Sequence, residues 1–306
     1  MRVLMVFACI GLTVAGFCVG SDRAPVDPGL RYLGETPPGR TPQVFAAGRI
    51  SDAGYRLHGS PVFSPDHRAV YWSVIPPVIL SVSLEDGRWG AAAPVPLPGR
   101  GIQAPALSAD GNRLYFQGVL EGGRGSADIW WTDRTDDGWG SPVPAGSTVN
   151  TDKLESQPTV SADGTLYFTG TQAGVGFNRG IFRSRWIDGA YTTPELLGEG
   201  INSPSIDYCP WIATDESYLL FASSRPRTEE VLYLHVTFRR ADGSWTTPVN
   251  IHPAMNFSQP ARSPSVSPDG RYLFFLSGGR VYWVDMAVVL ELRPSAASAA
   301  PAAPGS

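Results

Sequence analysis

The sequence predicts an all-β fold, a five-bladed β-propeller made of four-stranded antiparallel blades. Gly and Pro are frequent, with 34 and 28 copies in 306 residues, and that density interrupts long helices. Hydrophobic residues make up 42% of the chain and charged residues 17%, a composition that supplies a sizeable core and excludes a disordered chain. A turn signal also recurs five times at spacings of 44 to 54 residues, which indicates a modular architecture.

The turn signal is a tripeptide that ends in Asp. Its copies are Ser64-Pro65-Asp66, Ser108-Ala109-Asp110, Ser161-Ala162-Asp163, Ala213-Thr214-Asp215 and Ser267-Pro268-Asp269. Three copies continue into Gly, and Asp-Gly between apolar runs is typical of a tight β-hairpin. His67 and Glu216 replace that Gly in the other two. Because the Asp recurs in every repeat, we interpret it as a cap of the turn backbone and not as a catalytic group.

A short apolar run follows each turn. These runs are Val70-Tyr71-Trp72, Leu114-Tyr115-Phe116, Leu166-Tyr167-Phe168, Leu219-Leu220-Phe221 and Leu273-Phe274-Phe275. A strand that is apolar at every position has both faces buried. A third strand and a second Asp-Gly turn come next, leading to an aromatic residue and a Pro, which an outer strand tolerates. Four-stranded sheets stacked around an axis bury one another's faces, so the units predict a propeller.

These repeats are similar to the WD40-like propeller repeat of the TolB type. The marks of that family are Ser-Pro-Asp-Gly, a Leu-Tyr-Phe-like strand and an Asp-Ile-Tyr-like strand, and the resemblance spans residues 58–286. It extends to bacterial exported repeats with an Asn-rich loop between blades, seen here at Asn150, Asn202 and Asn256. The resemblance implies the fold, and it implies a periplasmic scaffold for interactions more weakly, since one fold serves many functions.

The two ends of the repeat region predict how the ring closes. The last repeat has no Asp-Gly-x-Trp-x-x-Pro segment, and residues 43–47 form a strand-like run with no blade of their own. We expect this N-terminal strand to complete the fifth blade. In the alternative, residues 287–290 supply the outer strand and the N-terminal run belongs to a sixth, degenerate blade.

The flanking segments predict an exported protein. Residues 1–20 have the pattern of a secretory signal peptide, with Arg2 before an uncharged apolar run and cleavage near Gly20. In the alternative the protein is lipid-anchored through Cys18, although Phe17 departs from the small residue of lipoprotein signals. We expect disorder in residues 21–39 and 294–306, one propeller domain over residues 40–293, and a monomer that is periplasmic or secreted, without stable membrane insertion after cleavage.

Charge and motifs exclude several classes of function. With 24 Lys and Arg against 28 Asp and Glu the formal net charge is -4, so no basic field draws the protein to nucleic acid. The sequence has no nucleophile elbow, zinc-helix, phosphate-loop or calcium-loop signature, and we expect no metal and no cofactor. We interpret Cys209, alone in the predicted mature chain, as a small buried hydrophobe.

Candidate site residues differ between blades at one place, the polar stretch that enters each innermost strand. They are His58, Gln103, Glu155, Asp207 and Arg262. Connections between blades arrive at one mouth of the central channel, so we expect these side chains to form a ring there. A ring of unlike polar groups gives a symmetric scaffold an asymmetric site.

The sequence favours a non-enzymatic protein that binds a protein or cell-envelope component through one face of the ring. The alternative is a carbohydrate-active propeller enzyme that uses Glu155 and Asp207 as paired carboxylates across the channel.

Overall fold

Each repeat of the sequence becomes one antiparallel blade in a computed structural model, which describes residues 24–171, 179–198, 200–225 and 231–294. The N-terminal segment holds a 3₁₀ helix, Pro28–Gly34, and strand β1, Gln43–Val44. Blade 1 contains β2 Arg56–Leu57, β3 Val62–Phe63, β4 Ala69–Ile75, β5 Val78–Glu85, β6 Arg88–Trp89 and β7 Ala93–Pro94. Blade 2 contains β8 Arg100–Leu107, β9 Arg113–Val119, β10 Asp128–Thr135, β11 Gly138–Trp139 and β12 Val143–Pro144.

The remaining blades follow the same plan. Blade 3 contains β13 Glu155–Val160, β14 Leu166–Thr171, β15 Arg179–Ser184, β16 Trp186–Ile187, β17 Ala190–Tyr191 and β18 Glu195–Leu196. Blade 4 contains β19 Asp207–Ile212, β20 Tyr218–Ser223, β21 Tyr233–Phe238, β22 Val249–Asn250 and helix α1 His252–Met255. Blade 5 contains β23 Arg262–Val266, β24 Tyr272–Ser277 and β25 Arg280–Asp285, and helix α2 Ala287–Leu290 follows it.

The repeated Asp caps its turn, as predicted. In four blades the turn Ser donates its hydroxyl to the Asp carboxylate over 2.5 to 2.7 Å. In all five, the same carboxylate accepts from the backbone N–H two residues further on, over 2.9 to 3.3 Å. The fourth copy lacks the Ser and keeps the backbone bond alone. These bonds fix the inner hairpin of each blade, and the prediction of a structural Asp is confirmed.

Alternate residues of each apolar run pack against opposite neighbours. In β20, Leu219 and Phe221 join a cluster with Tyr167 and Ile181 of blade 3. Leu220, between them, belongs to the cluster that includes Leu273 of blade 5. Both faces of the strand are therefore buried between blades, and burial of apolar area is the main stabilising contribution to the ring.

The ring closes through the N-terminal strand. β1 pairs antiparallel with β25, with Gln43 opposite Trp283, and the Phe45 amide donates to the Val281 carbonyl over 2.8 Å. The outer strands of blades 2 and 3 make the same bond to their third strands, from Ala145 and Leu197. The closure prediction and the count of five blades are confirmed. Residues 287–290 form α2, so the alternative that used them as an outer strand is wrong.

In three blades, a polar side chain after the outer strand makes hydrogen bonds to the backbone of the third strand. Asn150 accepts from the Ile129 amide and donates to its carbonyl, both over 2.9 Å, and Asn202 holds Ile181 in the same way. In blade 4 the position is taken by His252, whose Nε2 accepts from the Leu234 amide. The inter-blade Asn residues at 150 and 202 are thus structural.

The N-terminal segment is more ordered than we expected. Within residues 21–39, for which disorder was predicted, the described part begins at Ala24 and includes the 3₁₀ helix. Tyr32 and Leu33 are buried there, and the Tyr32 hydroxyl donates to Asp269 over 2.5 Å. The prediction rested on Pro and Gly content and overlooked this apolar pair, which packs against blades 1 and 5. Residues 1–20 and 295–306 lie outside the described residues.

Among the residues that the structure describes, no helix has the length and apolar character needed to cross a membrane.

Candidate functional site

The innermost strands of four blades have a backbone bulge at equivalent positions. The residue before the strand Pro has positive φ in four blades: 53° at Ala104, Gln157 and Cys209, and 51° at Ser263. Strand pairing shifts register at each of them. Pro has no N–H to donate, and a bulge is where a paired strand accommodates it. With Ser60 of blade 1, which precedes Pro61, these four residues form what we call the bulge ring.

Three amides of the bulge ring are bonded to the preceding blade. Ala104 donates to Ser73 Oγ over 2.8 Å, Gln157 to Gln117 Oε1 over 3.1 Å, and Cys209 to Thr169 Oγ1 over 3.1 Å. Each acceptor lies at the same position of its second strand. At that position blades 4 and 5 have Ala222 and Leu276, which carry no polar side-chain atom. The ring is therefore chemically asymmetric although its backbone repeats.

The centre of the ring is a cavity of about 360 Å³. Its lining extends from the bulge ring to the turns of blades 1, 2, 4 and 5, at the end of the channel that we call the turn face. Pro65, Ala109, Thr214 and Pro268 line it there and are exposed, so the cavity is open at that end. The opposite end, where the innermost strands begin, we call the entry mouth.

Apolar side chains from three blades remain partly exposed in the cavity wall. They are Val62, Leu107 and Trp211. The Trp211 ring lies 5.8 Å from that of Tyr218, tilted by 33°. Sequence analysis did not select Trp211, although it follows the strand Pro directly, and aligning the blades on that Pro would have singled it out.

The five predicted site residues do not occupy equivalent positions. His58, Glu155 and Asp207 stand three residues before the strand Pro, whereas Gln103 and Arg262 stand two residues before it. Neighbouring residues of a strand point to opposite faces. Of the five, only His58 lines the cavity, so the structure does not bring the five side chains together in the predicted single ring. The entry loops differ in length, and the sequence analysis did not take the bulge into account. It therefore treated as equivalent five residues that lie at different distances from the strand Pro.

Glu155 and Asp207 are buried, with 3% and 0% of their surface exposed. Glu155 accepts from the N–H and hydroxyl of Thr151 over 2.9 and 2.6 Å. Asp207 does the same with Ser203 over 2.6 and 2.7 Å, and it pairs with Arg225 over 2.7 Å. Each carboxylate closes the loop of its own blade. The enzyme alternative needs this pair free and facing the channel, and the geometry does not supply it.

Electrostatics at the entry mouth follow from burial and from arginine. Burial, together with the charges of Arg262 and Arg56, lowers the pKa of His58 to about 4. His58 is therefore neutral at pH 7. Burial also raises the pKa of Glu155, against the hydrogen bonds from Thr151. Gln103 is buried opposite Gln117 in the strand pair.

Cys209 is buried, as expected, with its Sγ 3.5 Å from Ser263 Oγ. Burial raises the pKa of its thiol, which keeps it protonated and unreactive at pH 7. Sequence analysis missed that Cys209 belongs to the bulge ring and lines the cavity.

The described residues contain no group of three or more His, Cys, Asp and Glu side chains placed to hold a metal ion.

Solved structures with the same architecture include one described as putative TolB from Agrobacterium tumefaciens. It aligns with a TM-score of 0.50 at 19% identity, over 72% of this chain and 69% of that one. The fold is that of a TolB-type β-propeller. At this identity the likeness extends to the fold alone. No protein-family model matches the sequence, and no curated relative matches it.

Two further structures align less closely with this chain. TolB from Acinetobacter baumannii gives a TM-score of 0.48 at 16% identity, over 75% of this chain and 54% of that one. A gluconolactonase from Xanthomonas campestris gives 0.46 at 14% identity, over 82% of this chain and 97% of that one. The chain thus spans about half the length of the Acinetobacter protein.

Proposed function

We propose that this TolB-type propeller is a non-enzymatic binding protein of the periplasm or cell exterior. Its ligand is a protein or another cell-envelope component, part of which enters the central cavity from the turn face. The observation that carries the proposal is the cavity itself, about 360 Å³ in volume, with partly exposed apolar side chains from three blades in its wall.

The chemistry of the wall suits an apolar side chain or short loop of a partner. Val62, Leu107 and Trp211 offer apolar surface that such a group would remove from water. Partly buried Trp residues in pockets often dominate the energy of protein interfaces. Because Trp211 packs on Tyr218, its ring is already oriented before a ligand arrives.

The scaffold around the cavity is ordered in advance. The turns that surround its opening are held by the Asp caps, and the ring is closed by β1. A site that is already ordered loses little conformational entropy on binding.

The location of the protein belongs to the same proposal and rests on the signal-like residues 1–20. N-terminal sequencing of exported material should give Ser21 first, whereas acylated Cys18 would indicate the lipid-anchored alternative.

Photo-crosslinking tests the proposal. A photoreactive phenylalanine analogue replaces Leu107 in the cavity wall or, as the matched control, Val249 on the exposed outer strand β22. Both full-length chains are expressed in the native host and irradiated. We expect one discrete adduct from position 107 and none of that mass from position 249. The same adducts from both positions, or none from 107, would overturn the proposal.

A further inference from the structure

The entry mouth gathers positive charge from separate blades. Arg262 begins β23, and its Nη1 lies 3.5 Å from the His58 carbonyl oxygen. Arg179 begins β15, and its guanidinium carbon lies 5.9 Å from the centroid of the Tyr208 ring. Arg56 is near enough to His58 for its charge to lower the pKa of that imidazole, after burial and Arg262. Three arginines thus lie at the end of the blades where the innermost strands begin.

These arginines lack the carboxylate partners that other arginines of the chain have. Within the described ranges, no Asp or Glu oxygen lies within 4.0 Å of Arg56, Arg179 or Arg262. The two acids at the start of innermost strands, Glu155 and Asp207, are buried and already bonded to their own loops. The formal net charge of the chain is -4, so this local excess of positive charge is not a general property of the surface.

Tyr208 lies beside two of the arginines. It is buried, and burial raises the pKa of its hydroxyl, as does the neighbouring Cys209, while the charges of Arg262 and Arg179 lower it. The Arg179 guanidinium lies over the Tyr208 ring, and Arg262 is placed to hydrogen-bond the Tyr208 hydroxyl. Two cations beside one hydroxyl are stabilised by an anion that pairs with all three groups.

We propose that the entry mouth is an oxyanion site, in which Arg179, Arg262 and the Tyr208 hydroxyl bind a carboxylate or phosphate group. Arg262 and Arg179 donate N–H groups to the anion oxygens, and the neutral His58 beside Arg262 adds no charge of its own. The site lies at the opposite end of the channel from the turn face. Anion binding at the entry mouth is independent of ligand entry at the turn face, and either site can exist without the other.

Calorimetric titration of the full chain with inorganic phosphate, and separately with acetate, tests this site at low ionic strength. We expect saturable binding of at least one anion. Phosphate alone would indicate a phosphate-bearing ligand, acetate alone a carboxylate, and both a general oxyanion site. Arg262→Gln should weaken binding by about tenfold or more, whereas Arg88→Gln, on the exposed outer strand β6, should leave it unchanged.

Tyr208→Phe removes only a hydroxyl and should weaken binding by about three- to tenfold. This variant serves as the test if Arg262→Gln changes the melting temperature. Absence of saturable binding to both anions would overturn the proposal. Equal affinity in wild type, Arg262→Gln and Tyr208→Phe would also overturn it.

Discussion

Asp207 shows how the environment of one residue decides its role. Its carboxylate is fully buried and bonded to Ser203 and to the Arg225 guanidinium. Asp207→Asn leaves that guanidinium without a counter-charge in a buried setting, and we expect a loss of about 3 kcal/mol in the free energy of unfolding. Asp136→Asn, in an exposed hairpin, is the control and should not change the melting temperature. Equal melting temperatures for Asp207→Asn and wild type would contradict this role.

The buried Glu155 predicts a pH dependence. Burial raises the pKa of its carboxyl above the ordinary value in the unfolded chain. Between those two values the folded state binds more protons, so stability falls as pH rises through this window and is constant above it. Glu155→Gln cannot titrate and should lack that part of the slope. Melting temperatures of both proteins from about pH 4 to 7 measure it, and parallel curves would show that Glu155 does not contribute.

Sequence patterns predicted the residues that repeat better than those that differ. The turn Asp recurs in all five blades and its role was predicted correctly. The candidate site residues vary in type and lie in entry loops of unequal length. The face of the strand on which each side chain lies depends on a bulge that the sequence pattern does not show. Only the shared Pro fixes that register, and it places Glu155 and Gln103 at different positions.

At the scale of the strand, the bulge explains how four of the innermost strands accommodate Pro. A residue other than Gly in the left-handed region is strained by about 1–2 kcal/mol, and Ala104 has φ 53°. Ala104→Gly should therefore leave stability unchanged or raise it. Ala106→Gly, two residues on in the same strand, should lower it by about 1 kcal/mol.

Chemical denaturation of the two variants checks this difference. Equal losses of stability would show that the left-handed conformation at Ala104 carries no strain. The comparison is matched in residue type, strand and size of change, and Ala106 is in addition buried in the core between blades 2 and 3.

For the whole molecule, the closure of the ring was predictable and the N-terminal helix was not. One blade lacked an outer strand and one strand lacked a blade, which favoured pairing the two over a sixth, degenerate blade, and the structure has this pairing between β1 and β25. Tyr32 and Leu33 gave no periodic signal, because their burial depends on the surface of blades 1 and 5.

Closure through β1 predicts a strong effect of its removal. Deleting residues 41–50 removes β1 together with the fully buried Phe45 and Ile50, and should lower the melting temperature severely. Phe45→Ala alone should cost about 3–5 kcal/mol. Deleting residues 295–306 is the control and should change nothing measurable. Thermal melts in the reverse order would contradict closure by this strand.

The central claim is that a ligand enters the cavity at the turn face and contacts Trp211. The most direct measurement is the yield of the photo-crosslinked adduct from position 107 in two further backgrounds, Trp211→Ala and Trp245→Ala. Trp245 is a half-buried Trp on the outer rim. We predict that Trp211→Ala lowers the yield by about thirtyfold, as expected for an interface residue worth 2 kcal/mol or more, while Trp245→Ala leaves it unchanged. An unchanged yield in the Trp211→Ala background would contradict the claim.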